Sequence, residues 1–208
     1  MAGLGQRGPG SGRYSVGRAT PPCAVIGVNQ VDSSSSLTQI RALIRAVADF
    51  PKPGIVFRDI TPLLADAGGF ARCVDALAEP WQGSGVQAVC GIESRGFIFG
   101  AALAQKLHAG FVPLRKPNKL PPPVVSVDYE LEYGVDRLEA RSDALRPGER
   151  VLIVDDVLAT GGTVAAARAL VEKLGAQLVG ASIVIELAAL QGRSRWQDDT
   201  PLHALLRY

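Results

Sequence analysis

Short apolar runs alternate with stretches of helix-forming residues along most of this chain. The apolar runs contain few polar side chains, which is typical of strands buried on both faces of a parallel sheet. These runs are 86–91, 111–114, 151–154 and 178–187, and a last group at 202–206 can add an edge strand. Helices are predicted at 37–50, 68–80, 97–108 and 164–174. Strands that alternate with helices predict an α/β fold, with a mainly parallel central sheet flanked by helices.

Residues 125–133 show a different pattern, in which apolar and polar side chains alternate one by one. A period of two predicts a strand with one buried face. Gly134 is expected to make a turn, and residues 135–141 can return as the partner strand. The preceding segment, 115–123, contains four prolines and three cations and cannot be helical. Residues 115–141 therefore predict a proline-rich segment and a long two-stranded ribbon, an arrangement that fits a lid.

Residues 1–36 are rich in Gly, Ser, Pro and Arg and contain one acidic residue, Asp32. Their lack of periodicity predicts a disordered N-terminal tail ahead of one domain at 37–208. A Gly-x-Gly-x-x-Gly spacing at 3–8 follows no predicted strand, so it does not indicate a dinucleotide site. The basic composition fits a transit peptide, a dispensable tail or a start codon assigned too early, and these alternatives stay open.

The overall composition excludes several classes of protein. A net charge of +2 does not indicate nucleic-acid binding, and no apolar run reaches the roughly 18 residues that a membrane span needs. The three cysteines lack Cys-x-x-Cys spacing and the two histidines are scattered, so neither a zinc site nor a disulfide framework is expected. Apolar residues make up 47% of the chain, enough for one buried core. We therefore expect a cytoplasmic protein with reduced thiols.

The strongest candidate chemistry lies in residues 151–163, VLIVDDVLATGGT. The buried run ends in Asp155 and Asp156, which are expected on opposite faces because side chains alternate along a strand. A loop of small residues then leads into the helix predicted at 164–174, whose free N–H groups and positive dipole end favour anion binding. The carboxylates suit sugar hydroxyls or a metal ion. A P-loop is excluded, because Gly-x-x-x-x-Gly-Lys-Ser/Thr does not occur in the sequence.

This string resembles the 5-phosphoribosyl-1-pyrophosphate (PRPP) signature of type I phosphoribosyltransferases. The resemblance implies that family's fold, in which a small hood (here 37–62) and a flexible β-ribbon lid (here 115–141) lie over the carboxyl edge of the sheet. It also implies that Asp155 and Asp156 hold the ribose hydroxyls. The residues implied to bind the 5-phosphate are Ala159, Thr160, Gly161, Gly162 and Thr163.

A second segment, PGIVFRDITP at 53–62, resembles the N-terminal part of adenine phosphoribosyltransferases. In those enzymes this part forms the hood over the base. The resemblance implies that Val56, Arg58 and Val157 contact adenine. From the residues alone, an edge strand with a surface Arg–Asp pair remains the alternative.

A third segment, GIESRGFIFG at 91–100, resembles the pyrophosphate loop of the same family, with Arg95 as its cation. An arginine at such a turn can place two hydrogen bonds on one phosphate. The family loop usually contains a cis peptide bond between residues that are not proline. The resemblance implies such a bond near Glu93–Ser94.

The predicted lid contains RKPNKLP at 115–121 and LEYG at 131–134, both similar to the lid of adenine phosphoribosyltransferases. The resemblance implies that Glu132 is catalytic and acts on a purine proton. Asn118 stands where the family commonly has Gly, and Asn tolerates left-handed backbone angles. Without the resemblance, a solvated hairpin with ordinary surface charges accounts for the same pattern. The residues implied to bind pyrophosphate are Arg95, Arg115, Lys116, Lys119 and Tyr133.

The resemblance as a whole implies purine salvage, in which adenine and PRPP give AMP and pyrophosphate. It implies Mg²⁺ as the cofactor, bound mainly through PRPP, since no dedicated set of protein ligands is apparent. It also implies a homodimer. Two alternatives stay open: a relative that uses hypoxanthine, guanine or orotate, and a non-catalytic PRPP sensor that controls transcription. A sensor should carry a DNA-binding domain or a strongly basic face, and a Gly/Ser-rich tail supplies neither.

Overall fold

The computed structural model describes residues 33–130, 134–196 and 199–208. The helices are α1 (Ser33–Ala42), α2 (Thr61–Ala65), α3 (Ala67–Ala78), α4 (Gly96–Leu107) and α5 (Gly162–Lys173). The strands are β1 (Arg45–Ala48), β2 (Val56–Asp59), β3 (Ala88–Ile92), β4 (Gly110–Leu114), β5 (Val124–Glu130), β6 (Val135–Arg141), β7 (Arg150–Leu158), β8 (Gln177–Glu186) and β9 (Leu202–Arg207). Short 3-10 turns span Glu79–Trp81, Ala188–Leu190 and Gly192–Arg195.

Five strands form the central sheet in the order β4-β3-β7-β8-β9, and every neighbouring pair is parallel. Helix α4 connects β3 to β4 and helix α5 connects β7 to β8, as parallel neighbours require. The central strand β7 buries residues 151–154 completely, which explains their continuous apolar run. The predicted parallel α/β sheet, with β9 at one edge, is confirmed.

Helices cover both faces of this sheet. On one face, Leu170 of α5 packs in the same cluster as Ile153 of β7. On the other face, α1, α3 and α4 contribute Ile40, Leu77 and Phe99 to a second cluster. Each fully buried side chain of this size stabilises the fold by roughly 1.5–3 kcal/mol. The two layers therefore hold the carboxyl edge of the sheet in a fixed geometry.

The helix predicted over 37–50 is wrong in its second half. Helix α1 begins at Ser33, within the predicted tail, and ends at Ala42, while Arg45–Ala48 form a strand antiparallel to β2. The apolar spacing there suits a helix or a strand, and pairing with β2 decides between them. A turn with Asp49 at φ 57° closes this hairpin, and Gly54 N donates to the Asp49 carboxylate over 2.7 Å. Residues 1–32 of the predicted tail lie outside the described residues.

Strands β5 and β6 form the predicted antiparallel ribbon, in which Tyr129 lies opposite Asp136. One face of the ribbon packs against α5, with Leu138 and Ala140 fully buried. The alternating pattern therefore corresponds to a strand pair whose apolar face belongs to the main core. Residues 131–133 lie outside the described residues, so opening and closing of the lid stay a prediction.

The helices within these described ranges include none that is long and apolar enough to cross a membrane.

Candidate active site

A cavity of about 330 Å³ opens at the carboxyl edge of the sheet, where β3, β4 and β7 end. Ligands of open parallel sheets commonly bind at this edge. The segment after β3 contributes the residues of the predicted pyrophosphate loop, and β7 contributes the acidic pair. The lining residues are Glu93, Ser94, Arg95, Lys116, Asp155, Asp156, Val157, Ala159 and Thr163.

Both members of the acidic pair line this cavity, although the alternation of a strand predicted that only one would face it. Asp155 is 8% exposed and Asp156 is 4% exposed. Gly96, at the start of α4, packs so closely that an added Cβ would lie 2.8 Å from Oδ1 of Asp155. The first turn of α4 thus packs directly against the Asp155 side chain.

Arg95 is the cation nearest to the pair, with its Nε 2.9 Å from Oδ2 of Asp156. That oxygen is buried and lacks an aligned hydrogen bond. Burial raises the pKa of Asp155 well above its ordinary value, and the negative charge of Asp156 raises it further. Burial also raises the pKa of Asp156, although Arg95 opposes the shift. Donor groups of a ligand, such as sugar hydroxyls, would stabilise the charged forms of both carboxylates.

The small-residue loop after β7 is the second part of the site. Gly161 has φ 83° and directly precedes α5, a helix of 12 residues. The first N–H groups of a helix have no partner within it, so an anion can accept from them. Thr163 in this first turn borders the cavity. The loop, through Ala159 and Thr163, and the acidic pair therefore border the same cavity.

A neighbouring turn fixes the conformation of this loop. A Cβ at Gly192 would lie 2.1 Å from the Ala159 carbonyl oxygen, and a Cβ at Gly161 would lie 2.2 Å from the Gly192 carbonyl oxygen. Arg193 anchors the turn through Glu186 (Nη2–Oε2 2.6 Å) and the Leu202 carbonyl (2.8 Å).

The sequence analysis missed this anchoring pair. Glu186 is 4% exposed and stands at the end of β8. A buried acid after a long apolar run needs a cation as partner. That requirement is the signal that could have identified Arg193.

The lid cations are held by carboxylates that the sequence analysis also missed. Arg115 forms two hydrogen bonds with Glu93, of 3.1 Å and 3.3 Å, and Lys116 N donates to Glu93 over 2.8 Å. The Lys116 ammonium contacts Tyr129 and Asp136. The hydrogen bond from Arg115 lowers the pKa of Glu93, so this carboxylate is charged at neutral pH.

Two expectations about backbone geometry are confirmed. The Glu93–Ser94 peptide bond is cis, as the resemblance implied. Asn118 has φ 63°, the left-handed conformation expected where the family commonly has Gly.

The hood residues predicted to contact adenine do not border the cavity. Val56 is 47% exposed, and the Arg58 guanidinium lies 4.0 Å from the centre of the Tyr208 ring. Phe57, which the sequence analysis did not single out, has its ring 5.7 Å from the Arg95 guanidinium. Phe57 is thus a hood side chain that contacts a residue of the cavity.

The predicted site residues fall into three groups. Those that line the cavity are Arg95, Lys116, Asp155, Asp156, Val157, Ala159 and Thr163, whereas Val56, Arg58, Thr160, Gly161, Gly162, Arg115 and Lys119 do not. The Lys119 carbonyl accepts from Arg115 over 3.3 Å. Glu132 and Tyr133 lie outside the described residues. Thr160, Gly161 and Gly162 nevertheless belong to the loop between two lining residues.

This arrangement places groups that bind anions next to carboxylates that bind hydroxyl groups. A helix N-terminus accepts one anion, Arg95 and Lys116 can accept a second, and the acidic pair between them suits hydroxyl groups. The described residues contain no cluster of three or more His, Cys, Asp or Glu side chains that could hold a metal ion. A phosphorylated sugar with two anionic ends matches this distribution of charge.

Comparisons with known proteins agree with this geometry. A family model for the phosphoribosyl transferase domain matches residues 70–200. The adenine phosphoribosyltransferase of Xanthomonas campestris pv. campestris (strain B100) is 57% identical over 176 residues, covering 85% of this chain and 95% of that protein. The crystal structure of the Rhodothermus marinus adenine phosphoribosyltransferase matches with a TM-score of 0.80 and 48% identity, covering 84% of this chain and 99% of that one.

The Saccharomyces cerevisiae adenine phosphoribosyltransferase was solved in complex with D-2,5-dideoxy-2,5-imino-altritol 1,6-bisphosphate and adenine. It matches with a TM-score of 0.79 and 40% identity, covering 83% of this chain and 99% of that one. The family model matches more than half of the chain, and a relative above half identity is covered over nearly its whole length. This chain belongs to the adenine phosphoribosyltransferase family.

Proposed function

We propose that this chain transfers the 5-phosphoribosyl group of PRPP to adenine and releases AMP and pyrophosphate. The observation that carries the proposal is the buried Asp155–Asp156 pair in one cavity with Arg95 and the N-terminal turn of α5. The relative from Saccharomyces cerevisiae, which binds adenine together with a bisphosphate, supports the choice of base.

The reaction breaks the bond between ribose C1 and the pyrophosphate oxygen. The electron pair of that bond leaves with pyrophosphate, while N9 of adenine forms the new bond to C1 and its proton is released. Positive charge develops on the sugar, and the buried carboxylates Asp155 and Asp156 stabilise it while they hold the ribose hydroxyls. Arg95 and Lys116 stabilise the negative charge that develops on the leaving group.

We assign the remaining roles as part of this proposal. The loop Ala159–Thr163 binds the 5-phosphate, and Glu132 accepts or relays the purine proton. Val157 contacts adenine from the cavity wall, and Val56 and Arg58 contact it from the hood. Arg115, Lys119 and Tyr133 join the pyrophosphate contacts when the lid closes over the substrates, which excludes water from the transfer.

Mg²⁺ fits this site through the substrate rather than through the protein. Oxygen ligands suit Mg²⁺, which usually keeps several waters and binds through one or two carboxylates and substrate phosphates. Three acidic residues line the cavity, and two of them already have cationic partners: Glu93 pairs with Arg115 and Asp156 pairs with Arg95, while Asp155 is the third. When bound, Mg²⁺ would neutralise charge on the pyrophosphate oxygens.

The proposal is tested by incubating the purified chain with PRPP, Mg²⁺ and one base at a time: adenine, hypoxanthine, guanine or orotate. We expect AMP and pyrophosphate in equal amounts from adenine and no nucleotide from the other bases. Nucleotide from a different base would overturn the assignment of adenine. Binding of PRPP without any transfer would instead indicate the sensor.

The variant Glu132→Gln tests the catalytic role assigned to Glu132. Loss of a general acid or base lowers rates by about 10²–10⁴-fold, so we expect a fall of that size in kcat. The KM for PRPP should stay near the wild-type value, because Glu132 is assigned to the purine proton and not to the phosphates.

We also propose that the chain is a cytoplasmic homodimer. Phe50 and Ile55 of the hood expose large apolar side chains, which favours burial against another surface. Cys73 and Cys90 are buried and form no disulfide, in keeping with a reducing compartment. A mass near twice 21.9 kDa by light scattering would support the dimer, and a monomer at micromolar concentration would contradict it.

A further inference from the structure

The ammonium group of Lys116 is held by two side chains of the β5–β6 ribbon. Its Nζ lies 2.6 Å from the hydroxyl oxygen of Tyr129 and forms an ion pair with Asp136. The Tyr129 hydroxyl donates to Oδ2 of Asp136 over 3.0 Å, so the three groups contact one another in a closed set. Tyr129 and Asp136 are directly opposite in the ribbon. The register of the ribbon therefore determines where this ammonium lies.

Lys116 also borders the cavity, as Arg95 does. A lysine ammonium has three N–H donors and no acceptor. Tyr129 and Asp136 occupy two of these donors, which leaves the third for an oxygen atom of an anion in the cavity. Binding of that anion does not require the ion pair with Asp136 to break.

The core holds Tyr129 in place. Tyr129 is 8% exposed, and its ring belongs to the core cluster that includes α5. The backbone of Lys116 is fixed as well, because its N–H donates to Glu93. A free lysine side chain loses much conformational entropy when it is fixed in one position. The Lys116 side chain has already lost this entropy in the folded chain, so ligand binding does not have to order it.

Both charges of the ion pair are maintained at neutral pH. Burial by itself lowers the pKa of Lys116, but hydrogen bonds with Asp136 and Tyr129 outweigh it and the pKa lies above its ordinary value. Burial by itself raises the pKa of Asp136, but the hydrogen bond from Lys116 and further hydrogen bonds bring it below its ordinary value. The cavity is therefore bordered by a fixed cation.

We propose that Tyr129 and Asp136 are positioning residues that hold the Lys116 ammonium at the cavity, ready to meet the anionic leaving group. The identity of that group as pyrophosphate rests on the proposed function. Neither residue touches the reacting atoms, and both act through Lys116.

Steady-state kinetics of Asp136→Asn and Tyr129→Phe test the proposal. We expect Asp136→Asn to raise the KM for PRPP about tenfold, equivalent to about 1.4 kcal/mol, with the KM for adenine within about twofold of wild type. Tyr129→Phe keeps the ring in the core and should raise the KM for PRPP about threefold. The control is Asp128→Asn on the next rung, which breaks an exposed pair with Arg137 and should change neither KM by more than about twofold.

A double-mutant cycle separates positioning from a general structural role. We expect Lys116→Met and Lys116→Met/Asp136→Asn to have the same KM for PRPP, because Asp136 acts only through the ammonium. A further rise in the double variant would overturn the proposal. So would an unchanged KM in Asp136→Asn, or a lower one, which would mean that Asp136 competes with the substrate for the cation.

Two measurements keep the outcome unambiguous. Thermal melts show whether each variant is folded, and if Asp136→Asn does not fold, the same cycle with Tyr129→Phe takes its place. Calorimetric titration with PRPP and Mg²⁺ in the absence of a base measures the contribution of the positioning residues independently of transfer. Failure of wild type to make AMP would reject the proposed function, whereas equal PRPP affinity in wild type and Asp136→Asn would reject the positioning role.

Discussion

Asp155 and Asp156 are buried side by side, and Arg95 forms an ion pair with Asp156. Water cannot solvate two such carboxylates, so each is more stable when protonated than an exposed carboxylate would be. The bare site therefore lowers the stability of the folded chain at neutral pH. A ligand that donates hydroxyl groups would recover this stability on binding.

The upward shift of the Asp155 pKa predicts how the stability of Asp155→Asn depends on pH. Because the folded-state pKa of Asp155 is raised, its contribution to stability is present below the ordinary pKa of 3.8 and is lost as the pH rises through the raised value. Asparagine has no such titration and keeps the acceptor that Asp156 N uses at 2.9 Å. We expect a higher melting temperature than wild type at pH 7, a smaller difference near pH 4, and a lower kcat. Each kcal/mol corresponds to about 2–4 °C in a domain of this size.

Asp128→Asn is the control for this prediction, because hydrogen bonding with Arg137 lowers the pKa of Asp128. The Asp128 variant should melt no higher than wild type at pH 7. If Asp155→Asn melts lower than wild type at pH 7, the destabilising role of the buried pair is contradicted. If it also keeps full activity, the assignment of sugar contacts is contradicted.

At the residue scale, the sequence identified side chains whose role depends on neighbours along the chain. Asp155, Asp156 and Thr163 were predictable because strand, loop and helix start follow directly one after another. Glu93 and Asp136 were not, because their partners Arg115 and Lys116 are about 20 residues away. Only the pairing of strands brings such residues together.

At the scale of elements, the loop Ala159–Thr163 depends on the turn Gly192–Arg195, which does not line the cavity. Gly192 lies against Ala159 and Gly161, and Arg193 secures the turn to the buried end of β8. The loop conformation is thus set from outside the cavity. A side chain at position 192 would have to displace the loop.

Gly192→Ala tests this dependence. Its Cβ would lie 2.1 Å from the Ala159 carbonyl oxygen and 2.8 Å from the Gly161 nitrogen, so the loop must shift. We expect a KM for PRPP at least about tenfold higher and a stability loss of about 1–3 kcal/mol, measured by kinetics and denaturant unfolding. In the control Gly110→Ala, the Cβ meets only the Gln87 carbonyl oxygen at 3.6 Å, and neither quantity should change by much. Equal kinetics in the two variants would show that the turn does not set the loop.

Elements were predictable where the pattern fitted one structure only. The run 151–154 and the alternation that begins at 125 each match a single type of strand, and the structure has β7 over the first and β5 over residues 124–130 of the second. The stretch 43–48 fits a helix and a strand equally well, and the strand forms because β2 offers hydrogen-bond partners to Arg45–Ala48. Local sequence carries no information about that partner.

At the scale of the whole molecule, the parallel order of the sheet is what assembles the site. The ends of β3, β4 and β7 lie side by side, so segments that begin near residues 93, 115 and 155 meet in one cavity. Alternation of strands and helices was enough to predict a parallel sheet, but the order of its strands does not follow from that alternation. The resemblance to phosphoribosyltransferases implied that the hood and the lid lie over the carboxyl edge of the sheet, which periodicity does not indicate.

The rate at which the buried thiols of Cys73 and Cys90 react with a reagent can report how often the core opens. Cys90 lies on β3 next to the central strand, and burial raises the pKa of its thiol; burial raises the pKa of the Cys73 thiol on α3 to about 12. A thiol of this kind reacts with a disulfide reagent only when the surrounding structure opens. In a Cys23→Ser variant, we expect labelling at least about a thousandfold slower than in the urea-unfolded chain.

PRPP should lower the labelling rate of these buried thiols. A ligand present at 100 times its dissociation constant stabilises the folded state by about 2.7 kcal/mol, which corresponds to labelling about a hundredfold slower. Labelling that PRPP leaves unchanged would mean that the core opens without releasing the ligand. The rate of a simple colour reaction thus reports, without any assay of turnover, how strongly the occupied site holds the fold together.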